Sequence, residues 1–508
     1  MNCGPIVSAA VALLLSGWGA TADVRRPLQD VIAEICGSDI LSSSAVGLLA
    51  MTADGDTVAA VNPELKLVPA SNVKLITTGL ALRTLGEDFR FETRLGYDGE
   101  VRDGVLYGDL YIIGGADPTT GSCAPVAEPL DALFSDWAAL LASAGIDRIE
   151  GRVVGDARFF DDPTPENLGW SYDDLGTNYG AGPTGLNFFE NAQNFLITPG
   201  AAPGDKPVIR PRYPETPWMK YSVTAVTGGP RTANTIYYVN TPLAALGEFG
   251  GSFPCDRKGY TYEGSNRFGA YTCAWHFLKY LESEGVEVSE GCADISAGGF
   301  LRPDPGFGDS GIPAAPVGEL EVIGGTLSTR LSAIVAETNH ESDNFFAETL
   351  LKMMASTTGS SCRGDRSADA AEDMLASMGL SVDGRCRLVD GSGLSRKNYV
   401  SAGFFVDFLR RMMQEPSFGT YLQSLPVPGS RGTLEYKFSD ESDEFRRRIH
   451  IKSGSMNGIL CYSGYILPSA PDAGETIVFS LLTNNVTASV WSVSPLVDRI
   501  IAALAAGN

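Results

Sequence analysis

The chain of 508 residues is longer than a single hydrophobic core usually supports, so two or three domains are expected. Its composition, 44% hydrophobic and 19% charged, is that of a globular protein. A formal charge of -23 repels nucleic acid and anionic membrane surfaces alike, which argues against both as partners; a substrate bearing a carboxylate would need cations placed locally.

Residues Ile6 to Leu15 form an apolar run followed by small residues that end Ala20-Thr21-Ala22. A stretch this short with an A-x-A ending reads as a cleaved secretory signal over residues 1–22 rather than a membrane span, although no Lys or Arg precedes it. No later segment approaches the ~20 uninterrupted apolar residues of a spanning helix, so a periplasmic or extracellular location is expected. Of nine Cys, Cys3 leaves with the signal. An even remainder in an exported chain suggests disulfides, and Cys362 with Cys386, flanking one amphipathic helix, is the preferred pair. No C-x-x-C occurs, and the three His (His276, His340, His450) are scattered, so neither a metal site nor a cofactor is expected.

Val46 to Met51 reads as a strand, Asp54-Gly55 as its turn and Val58 to Val61 as the returning strand of a hairpin. Pro69 then precedes a helical run from Val73 to Leu85, which places Ser71 at a helix N-terminus. Leu130, Leu133, Phe134, Trp137, Leu140 and Leu141 repeat with helical spacing, and Gly145 ends that run before a strand at Ile149 to Val154. Tyr271 to Leu281 followed by Gly285-Val286 has the same helix, glycine, strand order, in a likeness too short to be an internal repeat. Pro-rich stretches at Pro199 to Pro217 and Pro303 to Pro316 punctuate the middle, the second as a boundary before helical patterning across Ile334 to Met354. Strands are expected at Arg448 to Lys452, Ile459 to Leu467 and Thr476 to Leu482, with a closing amphipathic helix from Ser494 to Ala505. Strands and helices sharing one core make an α+β fold.

Three short motifs occur in one order: Ser71-Asn72-Val73-Lys74, Ser342-Asp343-Asn344 and Lys452-Ser453-Gly454. A serine hydroxyl is a poor nucleophile until a base lies within hydrogen-bond reach. Residues three apart on a helix share a face, so Lys74 can point at Ser71. An ammonium cannot accept a proton, but burial and a second cation, for which Lys452 is the natural choice, lower its pKa. Lys74 then serves as general base, and Ser342 relays a proton to the leaving amine. The helix N-terminus at Ser71 and the amide of Ser455 supply donors for an oxyanion hole. Lys452 and Ser453 hold a terminal carboxylate, and Asn344 orients the substrate amide and steadies Lys74.

Each motif alone is weak. Ser71 is the only Ser with Lys three residues later, but Ser455-Met456-Asn457 also matches S-x-N, and Lys452-Ser453-Gly454 alone could be an ordinary strand-end turn. Order and placement on helix, helix and strand carry the argument.

At these residues the chain resembles the class C low-molecular-mass penicillin-binding proteins, exported D-alanyl-D-alanine carboxypeptidase/endopeptidases of penicillin-binding protein 4 type. The likeness includes Pro69 to Thr78, Gly108-Asp109-Leu110-Tyr111 leading to Gly115-Ala116-Asp117-Pro118, Asp174-Leu175-Gly176 before Tyr179-Gly180-Ala181, Asp390-Gly391-Ser392-Gly393-Leu394-Ser395-Arg396, and Lys452 to Ser455. It runs from about Val46 to the C-terminus. The long separation of Ser71 from Ser342 resembles the family's insertion of one domain, itself carrying another, between the first two motifs. The resemblance implies a penicillin-binding/β-lactamase-like transpeptidase domain, an antiparallel sheet flanked by helices, formed by 23–88 and 320–508 and interrupted by inserted domains, one nested in the other, at 89–319.

The resemblance further implies Ser71 as acyl-enzyme nucleophile, Lys74 as base, Ser342 and Asn344 as relay and orienting groups, and Lys452, Ser453, Gly454 and Ser455 as the substrate-binding strand. Arg396, Asp156 and Phe160 are implied to contact the far end of a peptidoglycan stem peptide. Ser453 stands where the family usually has Thr; serine keeps the hydroxyl but loses the methyl that packs the strand. The implied partners are peptidoglycan stem peptides and β-lactam antibiotics, without nucleic acid, and with a homo-oligomer left open. The rival readings are a serine β-lactamase, which must hydrolyse its acyl-enzyme quickly and needs no such insertion, and a non-catalytic wall-binding protein. A Ser-His-Asp hydrolase is disfavoured because no G-x-S-x-G elbow surrounds Ser71.

Overall fold

The computed structural model describes residues 28–162, 166–241, 244–296, 299–301, 319–470 and 474–507. The expected secretory signal and the boundary at Pro303 to Pro316 lie outside the described residues.

The described chain begins with helix α1 (Leu28–Cys36), followed by the hairpin β1 (Ala45–Thr52) and β2 (Thr57–Val61). Helix α2 (Val73–Leu85) follows, with the expected limits. Its residues from Val73 to Leu82 are all buried, so it is a central helix rather than an amphipathic surface one. That placement puts its polar residues, Lys74 included, inside the protein.

The chain next forms β3 (Glu92–Tyr97) and β4 (Leu110–Ile113). It continues through α3 (Leu130–Ser143), β5 (Val153–Asp156), α4 (Gly269–Ser283), β6 (Cys292–Ser296), β7 (Gly299–Leu301) and β8 (Glu321–Leu327). These strands form one six-stranded sheet in the order β7-β6-β5-β4-β3-β8. The first and last of these strands in the chain, β3 and β8, are antiparallel neighbours. Strand β8 lies in the stretch 320–508 and pairs with β3 of the stretch 89–319.

The single strand expected at Ile149 to Val154 is two, Arg148–Ile149 and β5, in different sheets. Gly151 sits between them, where a Cβ would lie 2.1 Å from the Gly108 carbonyl oxygen. The two helix, glycine, strand units are spatial neighbours: Glu287–Val288 pairs in parallel with Arg148–Ile149, and β6 with β5. Between β5 and α4, residues 192–265 build three small sheets around Phe195, Ile197, Tyr238, Phe249, Phe253 and Tyr262.

Helices α5 (Leu331–His340), α6 (Asn344–Thr357), α7 (Gly364–Ser377) and α8 (Ala402–Met412) then pack around α2. The helical pattern across Ile334 to Met354 breaks at Glu341-Ser342-Asp343, because Ser342 adopts φ +59° and Asp343 caps the next helix by accepting the Phe346 N–H at 2.7 Å. Strands β9 (Ile449–Met456), β10 (Ile459–Ile466) and β11 (Ile477–Asn484) complete an antiparallel five-stranded sheet in the order β2-β1-β11-β10-β9. Alternation along β11 sends Phe479 and Leu481 toward α1 and the C-terminal helix Val490–Ala506, and Val478 and Leu482 toward α2, α6 and α8. The sheet is thus buried between two helical layers.

The expected Cys362–Cys386 disulfide is not formed among the described residues, where both are thiols. Cys362 donates its N–H to Asp161 at 2.7 Å, while Cys386 lies in a strand paired with Tyr399–Ser401, so separate interactions hold the two backbones.

Candidate active site

Ser71 occupies a 3₁₀ turn (Ala70–Asn72) that runs directly into α2. The central sheet holds this turn from below. Asn484 on β11 accepts the Val68 N–H at 2.8 Å and donates to the Val68 carbonyl at 3.0 Å. Asn72 donates to Ser463 Oγ on β10 at 2.7 Å. Gly454 on β9 lies against the same turn, where a Cβ would meet the Pro69 carbonyl oxygen at 2.8 Å and Asn72 N at 3.0 Å. The third motif therefore needs glycine for strand and turn to approach this closely.

Lys74 Nζ has three partners: Ser71 Oγ at 3.1 Å, Asn344 Oδ1 at 2.7 Å and the Ser392 carbonyl oxygen at 2.7 Å. Two of these can only accept. A neutral amine, with two N–H bonds and one lone pair, therefore gives its hydrogens to Asn344 and Ser392 and aims its lone pair at the Ser71 hydroxyl. Burial lowers the Lys74 pKa to about 8, and the nearby carboxylates of Asp343, Asp390 and Glu348 keep it from falling further.

Lys452 Nζ donates to Ser342 Oγ at 2.9 Å and to the Ser453 carbonyl at 2.8 Å. Burial lowers its pKa well below the usual lysine value, and Lys74 pushes in the same direction. The repulsion between the two ammonium groups, expected to act on Lys74, thus falls on Lys452.

Ser71, Ser342, Asn344, Ser453, Ser455 and Arg396 line one open cavity of about 460 Å³, and the wholly buried Lys74 and Lys452 lie behind it, hydrogen-bonded to Ser71 and Ser342. Strand β9 is an edge of its sheet, and its Ile451 N–H donates to the Pro426 carbonyl at 3.0 Å, away from β10. By strand alternation the N–H groups of Ser453 and Ser455 face that same free edge. Arg396 is exposed at the rim and donates to the Asn457 carbonyl at 3.1 Å.

Asp156 and Phe160 are not brought to this cavity. Asp156 is 1% exposed at the end of β5 and takes the Arg158 guanidinium at 2.8 and 2.6 Å. Phe160, also 1% exposed, is part of the hydrophobic core, with Lys352 Nζ 5.8 Å from its ring centre. In their place Asp173, Asp174 and Tyr179 stand in the cavity wall, and the Tyr179 carbonyl accepts from Asn344 Nδ2 at 3.1 Å. These residues lie in or beside Asp174-Leu175-Gly176 and Tyr179-Gly180-Ala181, stretches conspicuous in the sequence but without an assigned role. Thr433, also in the wall, carried no sequence signal.

The loop Asp390-Gly391-Ser392-Gly393-Leu394-Ser395-Arg396 is a scaffold as well as a wall. Asp390, fully buried, accepts the Gly393 N–H at 2.9 Å, Asn398 Nδ2 at 2.7 Å and Trp170 Nε1 at 2.9 Å. Gly393 has φ +84°, and a Cβ there would sit 1.9 Å from the Ala70 carbonyl oxygen. Among the described residues no group of His, Cys, Asp and Glu side chains is arranged to hold a metal ion.

The family model described as D-Ala-D-Ala carboxypeptidase 3 (S13) matches residues 28–296 and 308–498. A D-alanyl-D-alanine carboxypeptidase of Actinomadura sp. (strain R39) is 30% identical over 496 residues, covering 93% of this chain and 84% of the relative. The crystal structure of penicillin binding protein 4 from Haemophilus influenzae superposes with TM-score 0.74 at 20% identity, over 93% of this chain and 97% of that one. Its complex with a β-lactam gives TM-score 0.69 at 19% identity, over 94% and 98%. A matching model over most of the chain, and a relative at this identity over nearly all of it, place the protein: it belongs to the D-Ala-D-Ala carboxypeptidase 3 (S13) peptidase family, with the penicillin-binding protein 4 type of fold.

Proposed function

We propose that this serine DD-peptidase is exported and opens D-alanyl peptide bonds of peptidoglycan stem peptides through an ester on Ser71. Lys74 takes the Ser71 proton as the oxygen attacks the carbonyl carbon. The N–H groups of Ser71 and Ser455 receive the oxyanion. Ser342 hands its proton to the leaving amine and receives in exchange the proton Lys74 took from Ser71, which leaves Lys74 neutral again, while Lys452 donates a hydrogen bond to the Ser342 oxygen. Asn344 orients the scissile amide; the terminal carboxylate of the substrate favours the charged form of Lys452, which with the Ser453 hydroxyl then holds it by charge-assisted hydrogen bonds. Water then hydrolyses the ester, with Lys74 accepting its proton and returning it to the departing Ser71 oxygen.

The observation that carries this reading is the 3.1 Å contact between Lys74 Nζ and Ser71 Oγ at a cavity walled by Ser342, Ser453 and Ser455. Arg396 and the carboxylates of Asp173 and Asp174 give the far end of the cavity both charges, which suits a stem-peptide residue carrying an amine and a carboxylate. Export is supported by the apolar run ending Ala20-Thr21-Ala22 and by the location of the substrate class. No helix among the described residues is long and apolar enough to cross a membrane. The β-lactam complex of the Haemophilus influenzae protein makes labelled penicillin the natural probe. A durable adduct that Ser71→Ala abolishes supports the peptidase; rapid turnover of the label indicates a β-lactamase, and absence of any adduct a binding protein.

A further inference from the structure

Glu348 lies one helical turn beyond Asn344 on the same face of α6, is 3% exposed, and belongs to none of the three motifs. One of its oxygens accepts two backbone N–H groups, from Gly391 at 3.0 Å and Ser392 at 2.7 Å. The carbonyl of that same Ser392 is one of the two fixed acceptors of Lys74, at 2.7 Å; the other, Asn344 Oδ1, also belongs to α6. Thr77 Oγ1 on α2 donates to the Gly391 carbonyl at 2.7 Å and ties the loop down from the other side. Gly391 has no room for a side chain, since a Cβ would lie 2.8 Å from the Ala347 carbonyl oxygen and 2.9 Å from Leu351 Cβ. The loop is thus pressed onto α6 with Glu348 as its anchor.

We propose that Glu348 is a positioning residue of the acylation step: its carboxylate fixes the Ser392 carbonyl, so that the Lys74 lone pair faces Ser71, and sets negative charge beside the Lys74 ammonium. The inference rests on Lys74 being the base. Three carboxylates bear on Lys74, Asp343 and Glu348 from α6 and Asp390 from the loop, and Lys452 on β9 feels the Lys74 charge in turn. Two of the carboxylates also set an acceptor of the amine: Glu348 takes the Ser392 N–H, and Asp390 takes the Gly393 N–H of the peptide unit that carries the Ser392 carbonyl. The pKa of Glu348 itself is raised to about 7 by burial and by Asp390, so near pH 8 it is mostly charged.

Two substitutions separate the roles. Glu348→Gln keeps an oxygen for both N–H groups and removes the charge; Glu348→Asp keeps the charge and withdraws the oxygen by one methylene. The readout is the second-order rate of penicillin acylation against pH. For Glu348→Gln the rise of rate with pH should move down by about one pH unit, because less carboxylate charge favours neutral Lys74 at lower pH. For Glu348→Asp the rise should stay in place while the plateau falls ~10-fold or more, as expected for a displaced base. An unmoved rise in the first, or an unchanged plateau in the second, overturns the proposal. So does loss of cooperative unfolding in both variants, which would make Glu348 a residue of the fold alone. If the wild-type rate itself shows no rise near pH 8, the base assignment fails instead, and the two failures are distinguishable.

Discussion

Lys452 on β9 donates a hydrogen bond to Ser342 across 2.9 Å, which joins the third motif to the second inside the cavity that holds the first. The contact depends on Ser342 leaving helical geometry at φ +59°, between α5 and α6. A strained residue held at a cavity by its surroundings is the pattern expected of a working site.

Replacing Lys452 by Ala removes both this contact and the proposed carboxylate anchor. Charge-assisted hydrogen bonds are worth about 1.5–3 kcal/mol, so cleavage of a peptide ending in a free carboxylate should fall ~10–100-fold. A peptide ending in an amide should lose far less. Kinetics on the paired substrates check this, and equal losses on both would remove Lys452 from carboxylate recognition.

The acylation rate should depend on pH in a fixed direction. Lys74 must be neutral to accept the Ser71 proton, and its pKa is lowered to about 8. Below that value the rate should rise about tenfold per pH unit, and above it level off. Stopped-flow acylation by a chromogenic β-lactam across pH 6 to 9.5 measures the profile; a rate that falls with pH over this range contradicts the assignment.

Gly454→Ala would force a methyl to within 2.8 Å of the Pro69 carbonyl and 3.0 Å of Asn72 N. Either β9 or the Ser71 turn must retreat. We expect a stability loss of about 1–3 kcal/mol, typical of overpacking, and a larger loss of acylation rate than that figure alone would bring. Chemical denaturation and acylation kinetics on the same protein check it.

Arg396 and Asp156 should part company. Arg396→Ala changes a rim residue of the cavity and should raise KM for a stem peptide while leaving the unfolding temperature nearly unchanged. Asp156→Asn weakens a buried ion pair with Arg158 and should cost about 3 kcal/mol of stability without moving KM. Thermal unfolding beside steady-state kinetics separates the two, and a raised KM for Asp156→Asn would return that residue to substrate recognition.

Much of this organisation was legible in the sequence because strong local signals coincide with the final structure. Pro69 ahead of an apolar run marked α2 from Val73 to Leu85, and the hairpin and the three C-terminal strands had clear turn residues between them. Hydrophobic periodicity, however, carries no sign of a left-handed residue, so the pattern across Ile334 to Met354 ran on through the break at Ser342 where the site is made. Gly151 and its approach to Gly108 similarly divide what looks like one strand. Glu348 and Asp390 were invisible for another reason: an acid in a helix or loop is usually solvated, and only the fold reveals that both are buried and bind backbone N–H groups. The resemblance placed Asp156 and Phe160 at the substrate, but burial and local pairing keep both out of the cavity, where Asp173, Asp174 and Tyr179 stand.

The central claim is that Ser71, activated by Lys74, forms the covalent ester. Intact-mass and peptide-mapping spectrometry after incubation with benzylpenicillin tests it directly. The account predicts one penicilloyl group per chain, mapped to the peptide containing Ser71 and lost in both Ser71→Ala and Lys74→Ala. An adduct on another residue, or undiminished labelling of Lys74→Ala, would contradict it.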